Sequence, residues 1–256
     1  MALLTATDVR HYFGGLCALA GFNLALEEGE LMGLIGPNGA GKTTVFNLIT
    51  GVYRASSGSI RFKDTELVGK TPHQITALRI GRTFQNIRLF RDLSVLDNVR
   101  IAHYARARYT PIEALLHLGR YRGEERRIVD DSRRLLSIFK LERLAGETAK
   151  NLPYGMQRRL EIARALAIGP ELLLLDEPAA GMNPNEIDQL MDFIQWIRRE
   201  FRLTILLIEH QMKLVMGICE RIQVLDFGET LIEGPPEAIR SDPRVLEAYL
   251  GEAPVA

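Results

Sequence analysis

The chain has 256 residues, of which 46% are hydrophobic and 25% are charged. These proportions are ordinary for a folded globular protein, so we expect a sizeable core and exclude extensive disorder. Lysine plus arginine and aspartate plus glutamate both number 32, which gives a formal net charge of zero. A neutral chain argues against a broad nucleic-acid-binding surface, although it still leaves room for a local basic patch.

The cysteines and the apolar segments indicate the compartment. Cys17 and Cys219 lie far apart in the sequence and lack the spacing of metal ligands, so we expect free thiols in a reducing environment. Asp8 and Arg10 interrupt the N-terminal apolar residues, and we therefore expect no secretory signal. No apolar run approaches the roughly 18–20 residues of a membrane helix. We expect a soluble, cytoplasmic chain that acts at a membrane only through partners.

Apolar residues and glycine-rich breaks predict strands joined by tight turns at residues 3–10 and 19–35. Phe13 falls in one of these turns, where its ring can stack on a nucleobase or fold into the core. The apolar run Leu31–Ile35 predicts a buried strand, and Thr44–Ile49 predicts a helix.

The segment between that strand and that helix matches the phosphate-loop pattern G-x-x-x-x-G-K-[ST]. Its glycines allow successive backbone N–H groups to point at phosphate oxygens, and the helix N-terminus then faces the anion. Lys42 can reach the β- and γ-phosphates, and the hydroxyl of Thr43 is a suitable Mg²⁺ ligand. The sequence therefore predicts a nucleoside triphosphate site formed by Gly36, Pro37, Asn38, Gly39, Ala40, Gly41, Lys42, Thr43 and Thr44.

The segments that follow the loop helix predict short elements and then a helical region. We predict a strand at Gly58–Lys63, a short helix opened by Pro72, a strand at Gly81–Gln85, and helices at Asp97–Arg108 and Glu124–Phe139. The last helix has many charges on a solvated face and places Ile128, Leu135, Leu136 and Phe139 on a helical period. We interpret residues from about 93 to 150 as a helical insertion.

From Leu152 the pattern of a nucleotide-binding core resumes. We predict helices at Gly155–Ile168 and Glu186–Arg199, buried strands at Glu171–Asp176 and Leu203–Ile208, and a hairpin of Arg221–Asp226 with Glu229–Glu233. Alternating strands and helices predict an α/β fold with a mainly parallel sheet. Ligands bind at the carboxyl ends of such strands, where we expect Gly36, Gln85, Asp176 and His210 to meet.

Polar residues at these strand ends suggest hydrolysis. Asp176 can orient Mg²⁺, and Glu177 beside it can act as general base for an attacking water. The amide of Gln85 can hydrogen-bond the Mg²⁺ shell or that water, although a lone glutamine is also an ordinary surface residue. His210 can donate to the γ-phosphate or cap the helix that begins near Gln211.

Taken together, these motifs resemble the ATPase subunits of ABC transporters over nearly the whole chain. The family's Leu-Ser-Gly-Gly-Gln signature aligns with Leu152–Met156, and Glu161–Leu166 continues like the signature helix. More narrowly, the ATP-binding subunits of branched-chain amino acid importers are similar at Arg82–Gln85, Pro153–Gly155, Glu177–Pro184 and Ala248–Glu252.

The resemblance implies roles for single residues. Phe13 aligns with the adenine-stacking aromatic, with Tyr12 as a substitute, and Ala179–Asn183 align with the loop that crosses a dimer interface. Gln85 corresponds to the coupling glutamine, Glu177 to the catalytic carboxylate and His210 to the switch histidine. Mg²⁺ would be held by Thr43, Gln85 and Asp176. Pro153, Tyr154, Gly155 and Met156 would contact the ATP of a second subunit in trans.

The fold implied by the resemblance has a phosphate-loop NTPase core, an N-terminal antiparallel β subdomain and an α-helical insertion within one ABC ATPase domain, residues 1–256. The implied assembly is a head-to-tail homo- or heterodimer with ATP and Mg²⁺ at its interface. Two integral-membrane permease subunits would bind it at the cytoplasmic side of the inner membrane. A periplasmic or extracellular solute-binding protein would take part indirectly, and no nucleic acid is expected.

Two departures and two alternatives accompany this interpretation. Pro153 replaces the signature serine and Met156 the usual glutamine, so hydrolysis at a site that uses this signature is expected to be weaker, unless Gln157 compensates. The leading function is ATP hydrolysis that powers import of branched-chain or related amino acids. The alternatives are the ATPase of a lipid or lipopolysaccharide exporter and a soluble ABC protein acting on DNA or ribosomes.

Overall fold

The computed structural model describes residues 2–106, 109–116 and 119–250. The strands are β1 (Ala2–Phe13), β2 (Leu16–Glu27), β3 (Leu31–Ile35), β4 (Ser57–Phe62), β5 (Thr65–Glu66), β6 (Ile80–Arg82), β7 (Leu172–Asp176), β8 (Thr204–Ile208), β9 (Arg221–Asp226) and β10 (Glu229–Gly234). The helices are α1 (Lys42–Ile49), α2 (Pro72–Ala77), α3 (Val95–His103), α4 (Pro111–Leu115), α5 (Gly119–Ile138), α6 (Tyr154–Ala167), α7 (Pro184–Phe201), α8 (Met212–Ile218), α9 (Pro236–Ser241) and α10 (Pro243–Leu250). Short 3₁₀ turns occupy Tyr104–Arg106, Glu142–Leu144 and Ala149–Asn151.

The chain divides into two compact units. Met1–Ile75 together with Glu171–Ala256 form one, which we call the sheet unit, and Thr76–Pro170 form the other, the helical unit. The helical insertion predicted at about 93–150 lies within the helical unit. None of the helices in the described part of the chain has both the length and the apolar composition that a membrane crossing requires.

The sheet unit contains two sheets. Strands β2-β1-β4-β5 form an antiparallel sheet. In the other sheet β9, β3, β8 and β7 are neighbours in that order and run parallel, and β10 adds to β9 as an antiparallel hairpin. Every residue of β3, β7 and β8 is buried, which is the pattern of a parallel sheet covered on both faces. These strands and the hairpin were predicted from the sequence and are confirmed.

Helix α7 shows how the sequence sets the ends and the packing of a helix in the sheet unit. Asn183 caps it, because its side-chain oxygen accepts from the amide of Glu186 at 3.0 Å, and the carboxylate of Glu186 accepts from the amide of Asn183 at 2.8 Å. Pro184 occupies the first turn, where its missing N–H costs nothing. One face then buries Ile187, Leu190, Ile194 and Ile197.

The helical unit has its own core. Ile128, Leu135 and Leu136 of α5 are buried, as is Phe139 just beyond it, so the predicted helical period is confirmed. The helix predicted at Asp97–Arg108 begins earlier, because Ser94 caps α3 by accepting from the amide of Asp97 at 3.0 Å. Of that prediction, residues 107 and 108 lie outside the described residues.

Two boundary predictions near candidate site residues were wrong. Phe13 is the last residue of β1 rather than part of a turn, because its backbone still pairs with Leu16. The strand predicted at Gly81–Gln85 ends at Arg82, and Gln85 lies in a bend. Backbone groups of Phe84 and Gln85 bond to side chains of α6, which replaces strand pairing in this segment.

Candidate nucleotide site

The predicted phosphate loop connects β3 to α1 in the sheet unit, and its shape depends on glycine. Gly36 has a φ of 149°, and a Cβ there would collide with the carbonyl oxygen of Leu225. Gly41 has a φ of 104°, and a Cβ would lie 2.7 Å from the carbonyl oxygen of Ala18. Both the left-handed backbone and the lack of space therefore require glycine at these positions. Close contacts of Gly36 with Leu225 and of Gly41 with Ala18 therefore hold the loop in this conformation before α1.

Lys42 is the first residue of α1 and folds back over the loop. Its Nζ donates to the carbonyl oxygens of Gly36 at 2.6 Å and Pro37 at 2.7 Å. The side chain is only 6% exposed, so its charge lies close to the loop rather than in bulk water. No acidic residue occupies the first turn of α1, and its cap residue is Gly41, so the positive end of the helix dipole is not neutralised locally. This arrangement favours a polyphosphate anion.

The β9–β10 hairpin supports the loop from the side. The amide of Gly228 donates to the carbonyl oxygen of Ala40 at 3.0 Å, and the carbonyl of Gly228 accepts from the amide of Ala20 at 3.0 Å. The hairpin turn therefore joins the loop to β2. Phe227 in the same turn is 87% exposed.

Asp176 and Glu177 lie where β7 ends, beside the end of β8. Asp176 pairs with Ile208 across the two strands and is 3% exposed. Glu177 takes a left-handed φ of 46°, and its amide donates to the carbonyl oxygen of Ile208 at 2.9 Å. This backbone is unusual for a residue with a side chain, and the hydrogen bond holds it in place. The structure thus brings both carboxyl groups to the same sheet edge as Gly36.

The His210 ring contacts Glu177 rather than capping a helix. Its Nε2 lies 2.9 Å from Oε1 of Glu177, and the two side chains are 36% and 18% exposed. The cap position of α8 is Gln211, which forms no side-chain capping bond. Of the two roles that the sequence left open for His210, helix capping is therefore wrong.

Glu209 is a residue that the sequence reasoning missed. It is 2% exposed, and its Oε1 accepts from the amide of Ala179 at 2.6 Å. Its Oε2 accepts from the amides of His210 at 3.0 Å and Gln211 at 3.2 Å. Glu209 therefore ties the turn after β7 to the turn after β8, which fixes the positions of Glu177 and His210. An acidic residue at the end of a buried strand was the available signal.

Phe13 belongs to a group of aromatic rings in the sheet unit. Its ring centroid lies 4.7 Å from that of His11 and 5.2 Å from that of Tyr53, both edge-to-face. His11 and Tyr53 stack at 5.5 Å. Phe13 is still 42% exposed, so one face can accept a flat partner such as a base. Tyr12, the predicted substitute, is 45% exposed.

The residues predicted to hold Mg²⁺ supply oxygen donors. In the sheet unit these are the exposed Thr43 at the start of α1 and the buried Asp176. Within the described residues, no three histidine, cysteine, aspartate or glutamate side chains form a cluster that could hold a metal. A hydroxyl and one carboxylate fit Mg²⁺, which completes its shell with water and substrate phosphates rather than with an all-protein cage.

The remaining predicted site residues lie in the helical unit. Pro153 occupies the N-cap position of α6 without a side-chain capping bond, and Tyr154 and Gly155, the first residues of the helix, are exposed. The amide of Met156 donates to the carbonyl oxygen of Pro153 at 2.9 Å. Gln157 uses its side-chain amide to donate to the carbonyl oxygen of Leu152 at 2.7 Å. Gln85 also belongs to this unit, next to the backbone contacts of α6.

Comparison with known proteins identifies the family. The sequence profile described as "ABC transporter" matches residues 19–180, which include the loop, the strand end at Asp176 and Glu177. The chain belongs to the ABC transporter family. A second profile, described as "Branched-chain amino acid ATP-binding cassette transporter", matches residues 230–255 of this ABC protein.

Relatives of this ABC chain match it over nearly its full length. The high-affinity branched-chain amino acid transport ATP-binding protein LivG of Escherichia coli (strain K12) is 45% identical, with 98% of each chain covered. The crystal structure of an ATP-binding cassette of an ABC transporter in its ADP conformation is 30% identical, with a TM-score of 0.85 over 98% of this chain and 100% of that one. A dimeric cassette in a post-hydrolysis state, bound to ADP and Pi, is 25% identical with a TM-score of 0.76, covering 91% and 98%.

These similarities confirm the family resemblance and the α/β phosphate-loop fold that were predicted from the sequence. As an ABC ATPase, the chain binds and hydrolyses ATP.

Proposed function

We propose that this ABC ATPase powers the import of branched-chain or closely related amino acids. The observation that carries the proposal is the full-length similarity to LivG, together with the profile match at residues 230–255. The match at the C-terminal end counts separately, because it does not overlap residues 19–180, which match the general ABC transporter profile. The proposal includes two integral-membrane permease subunits, a solute-binding protein and a peripheral location at the cytoplasmic face of the membrane.

The loop residues bind the triphosphate of ATP in this proposal. Backbone amides of Gly36–Thr44 and the start of α1 surround the phosphates, and Lys42 exchanges its contacts with Gly36 and Pro37 for the β- and γ-phosphates. The exposed face of Phe13 stacks on adenine. Thr43 and Asp176 would hold Mg²⁺, which would neutralise charge on the phosphates.

Glu177 and His210 carry out the hydrolytic step in this proposal. Glu177 accepts a proton from the attacking water as general base. His210 holds the carboxylate in place through the 2.9 Å contact of its Nε2 with Oε1 of Glu177. Glu209 keeps the two turns together beneath them. The amides and Lys42 stabilise charge on the transferring phosphoryl group, which is the larger energetic contribution.

A second ATPase subunit completes each site in the proposed assembly. The start of α6, with Pro153, Tyr154, Gly155 and Met156, would face the γ-phosphate bound to the partner, and the amides of Tyr154 and Gly155 would point at it. A related cassette, solved as a dimer in a post-hydrolysis state with bound ADP and Pi, supports a dimeric assembly. ATP would then join the two subunits, and hydrolysis followed by phosphate release would separate them.

Two measurements test the proposed function. The Lys42→Ala variant should lose ATPase activity and bind ATP weakly, because the charge next to the phosphates is removed. Lys213→Ala is the matched control, since Lys213 is in the same unit but forms an exposed ion pair with Asp188. Wild-type turnover in Lys42→Ala would contradict the phosphate-loop assignment.

The transported solute is tested in membrane vesicles. ATP-driven uptake of labelled leucine, isoleucine and valine should require the wild-type chain and fail with Lys42→Ala. When the tagged chain is extracted in detergent and purified, two multispanning membrane proteins should copurify with it. Purification with nucleic acid instead, or unchanged amino acid uptake in vesicles without the chain, would contradict the proposal.

A further inference from the structure

Arg158 and Glu161 form a buried ion pair on α6 in the helical unit. Nη1 of Arg158 lies 2.8 Å from Oε2 of Glu161, and each residue is 1% exposed. Removing two charges from water is costly, and their mutual attraction alone often fails to offset it. Buried charges are therefore expected to satisfy further hydrogen bonds, and the partners of this pair show what it holds.

The partners are backbone groups on both sides of Gln85. Nη1 and Nη2 of Arg158 donate to the carbonyl oxygens of Phe84 at 2.7 Å and Gln85 at 3.0 Å. Oε1 of Glu161 accepts from the amides of Phe84 at 3.3 Å and Arg88 at 3.2 Å. The pair thus replaces the strand hydrogen bonds that this segment lacks.

Side-chain contacts hold the same segment. The ring of Phe84 lies 4.9 Å from the guanidinium carbon of Arg82 and 4.3 Å from that of Arg88. Both cations are attracted to the ring face. The chain around Gln85 is therefore fixed through its backbone by α6 and through its own side chains.

We propose that Arg158 and Glu161 are positioning residues that fasten the segment 83–88 to α6, so that Gln85 and the start of α6 move together. This inference rests on the proposed function, in which the start of α6 faces the partner's ATP, and on the correspondence of Gln85 to the coupling glutamine of the family. Arginine suits this role because its planar fork reaches Glu161 and two carbonyl oxygens at once, which the single ammonium group of lysine does not.

Hydrogen exchange on the full chain tests the attachment directly. In Arg158→Met, the amides of Phe84 and Arg88 should exchange about tenfold or more faster, because Glu161, which accepts from both, loses its buried partner and the segment loses the bonds from Arg158. Amides of β3, β7 and β8 in the sheet unit should exchange at the wild-type rate. Arg159→Met is the matched control, since Arg159 is the next residue and is exposed. Unchanged exchange in Arg158→Met, or equal acceleration in Arg159→Met, would overturn the proposal.

Steady-state kinetics separate positioning from a general loss of stability. Arg158→Met should lower kcat and leave KM for ATP unchanged, because the phosphate loop belongs to the sheet unit. Arg158→Lys should recover part of kcat, and Arg159→Met should match the wild type. An increase in KM equal to the fall in kcat would contradict a positioning role.

A second variant covers the case in which Arg158→Met does not fold. Glu161→Gln keeps the size of the side chain and one acceptor oxygen but replaces the negative charge that faces Arg158 with a neutral amide. We therefore expect the same increase in amide exchange as in Arg158→Met. Activity retained in Lys42→Ala would reject the proposed function alone, whereas wild-type exchange of the Phe84 and Arg88 amides in a folded Glu161→Gln protein would reject the attachment alone.

Discussion

Nε2 of His210 lies 2.9 Å from Oε1 of Glu177, although the two residues are 33 positions apart in the sequence. They meet because β7 and β8 are neighbouring parallel strands that end side by side. Glu209 bonds both turns and keeps the contact in register. Both side chains remain partly exposed, so water can reach the carboxylate while the imidazole orients it.

Glu177→Gln should bind ATP and hydrolyse it about 10²–10⁴ times more slowly, since size and polarity are kept and the general base is lost. Phosphate release and binding of a fluorescent ATP analogue measure the two effects. Glu200→Gln, at an exposed position of α7, is the control. In gel filtration with ATP and Mg²⁺, Glu177→Gln should elute as a dimer, and a monomer would count against ATP as the joining element of a homodimer.

The contact with His210 adds an expectation to the same experiment. His210→Ala should also reduce the rate, because the carboxylate loses its orienting partner. The double variant should be no slower than Glu177→Gln alone, since both changes act through one contact. Additive losses would show that His210 works independently of Glu177.

The glycines of the phosphate loop should differ in their tolerance of alanine. Gly36→Ala sets a methyl group against the carbonyl oxygen of Leu225 and should abolish tight ATP binding and lower the melting temperature. Gly39→Ala meets no atom within 4 Å, so only its left-handed φ of 81° opposes it, at a cost of about 1–2 kcal/mol. Thermal unfolding and ATP titration of the two variants provide the comparison. Equal melting temperatures and equal ATP affinities in the two variants would mean that the loop backbone shifts to accommodate a methyl group at residue 36.

The substitutions in the signature segment, Pro153 for serine and Met156 for glutamine, should limit the rate of ATP hydrolysis. Met156→Gln offers the γ-phosphate of a partner a polar group, and a hydrogen bond to a charged group is worth roughly 1.5–3 kcal/mol, or about tenfold or more in rate if it forms only in the transition state. Gln157 is not a ready substitute, because its amide already donates to Leu152. Pro153→Ser tests the missing hydroxyl, and the double variant should not be additive. Unchanged rates in all three would leave the backbone amides of α6 as the whole contribution.

The two cysteines should differ in reactivity. Burial raises the pKa of the Cys219 thiol, whereas Cys17 is exposed. Because the thiolate is the reactive form, a thiol reagent should modify one cysteine rapidly in the native protein and both in denaturant. Cys17→Ser should remove the fast phase. Rapid modification of Cys219 in the folded Cys17→Ser protein would contradict the burial of that residue.

The sequence alone determined the phosphate loop, the buried strands β3, β7 and β8, and the apolar face of α5. These features depend on residues that are close together in the sequence. The apolar run Leu172–Leu175 predicts a buried strand, and the spacing of glycines around Lys42 predicts a phosphate loop, whatever the rest of the chain does. Sequence patterns do not predict hydrogen bonds between residues that lie far apart in the chain. The strand that the sequence predicted at Gly81–Gln85 ends at Arg82, because the backbone of Phe84 bonds to Arg158 and Glu161, more than 70 positions away.

Only the tertiary structure decided which polar groups meet. Adjacency of β7 and β8 brings Glu177 to His210 and buries Glu209 between two turns, and the approach of Tyr53 to Phe13 gives that ring its edge contacts. Periodicity in a sequence indicates which apolar side chains are buried, because the hydrophobic effect is non-directional and needs no particular partner. Pairing of side chains depends on strand order and turn geometry, which arise from the packing of the whole unit.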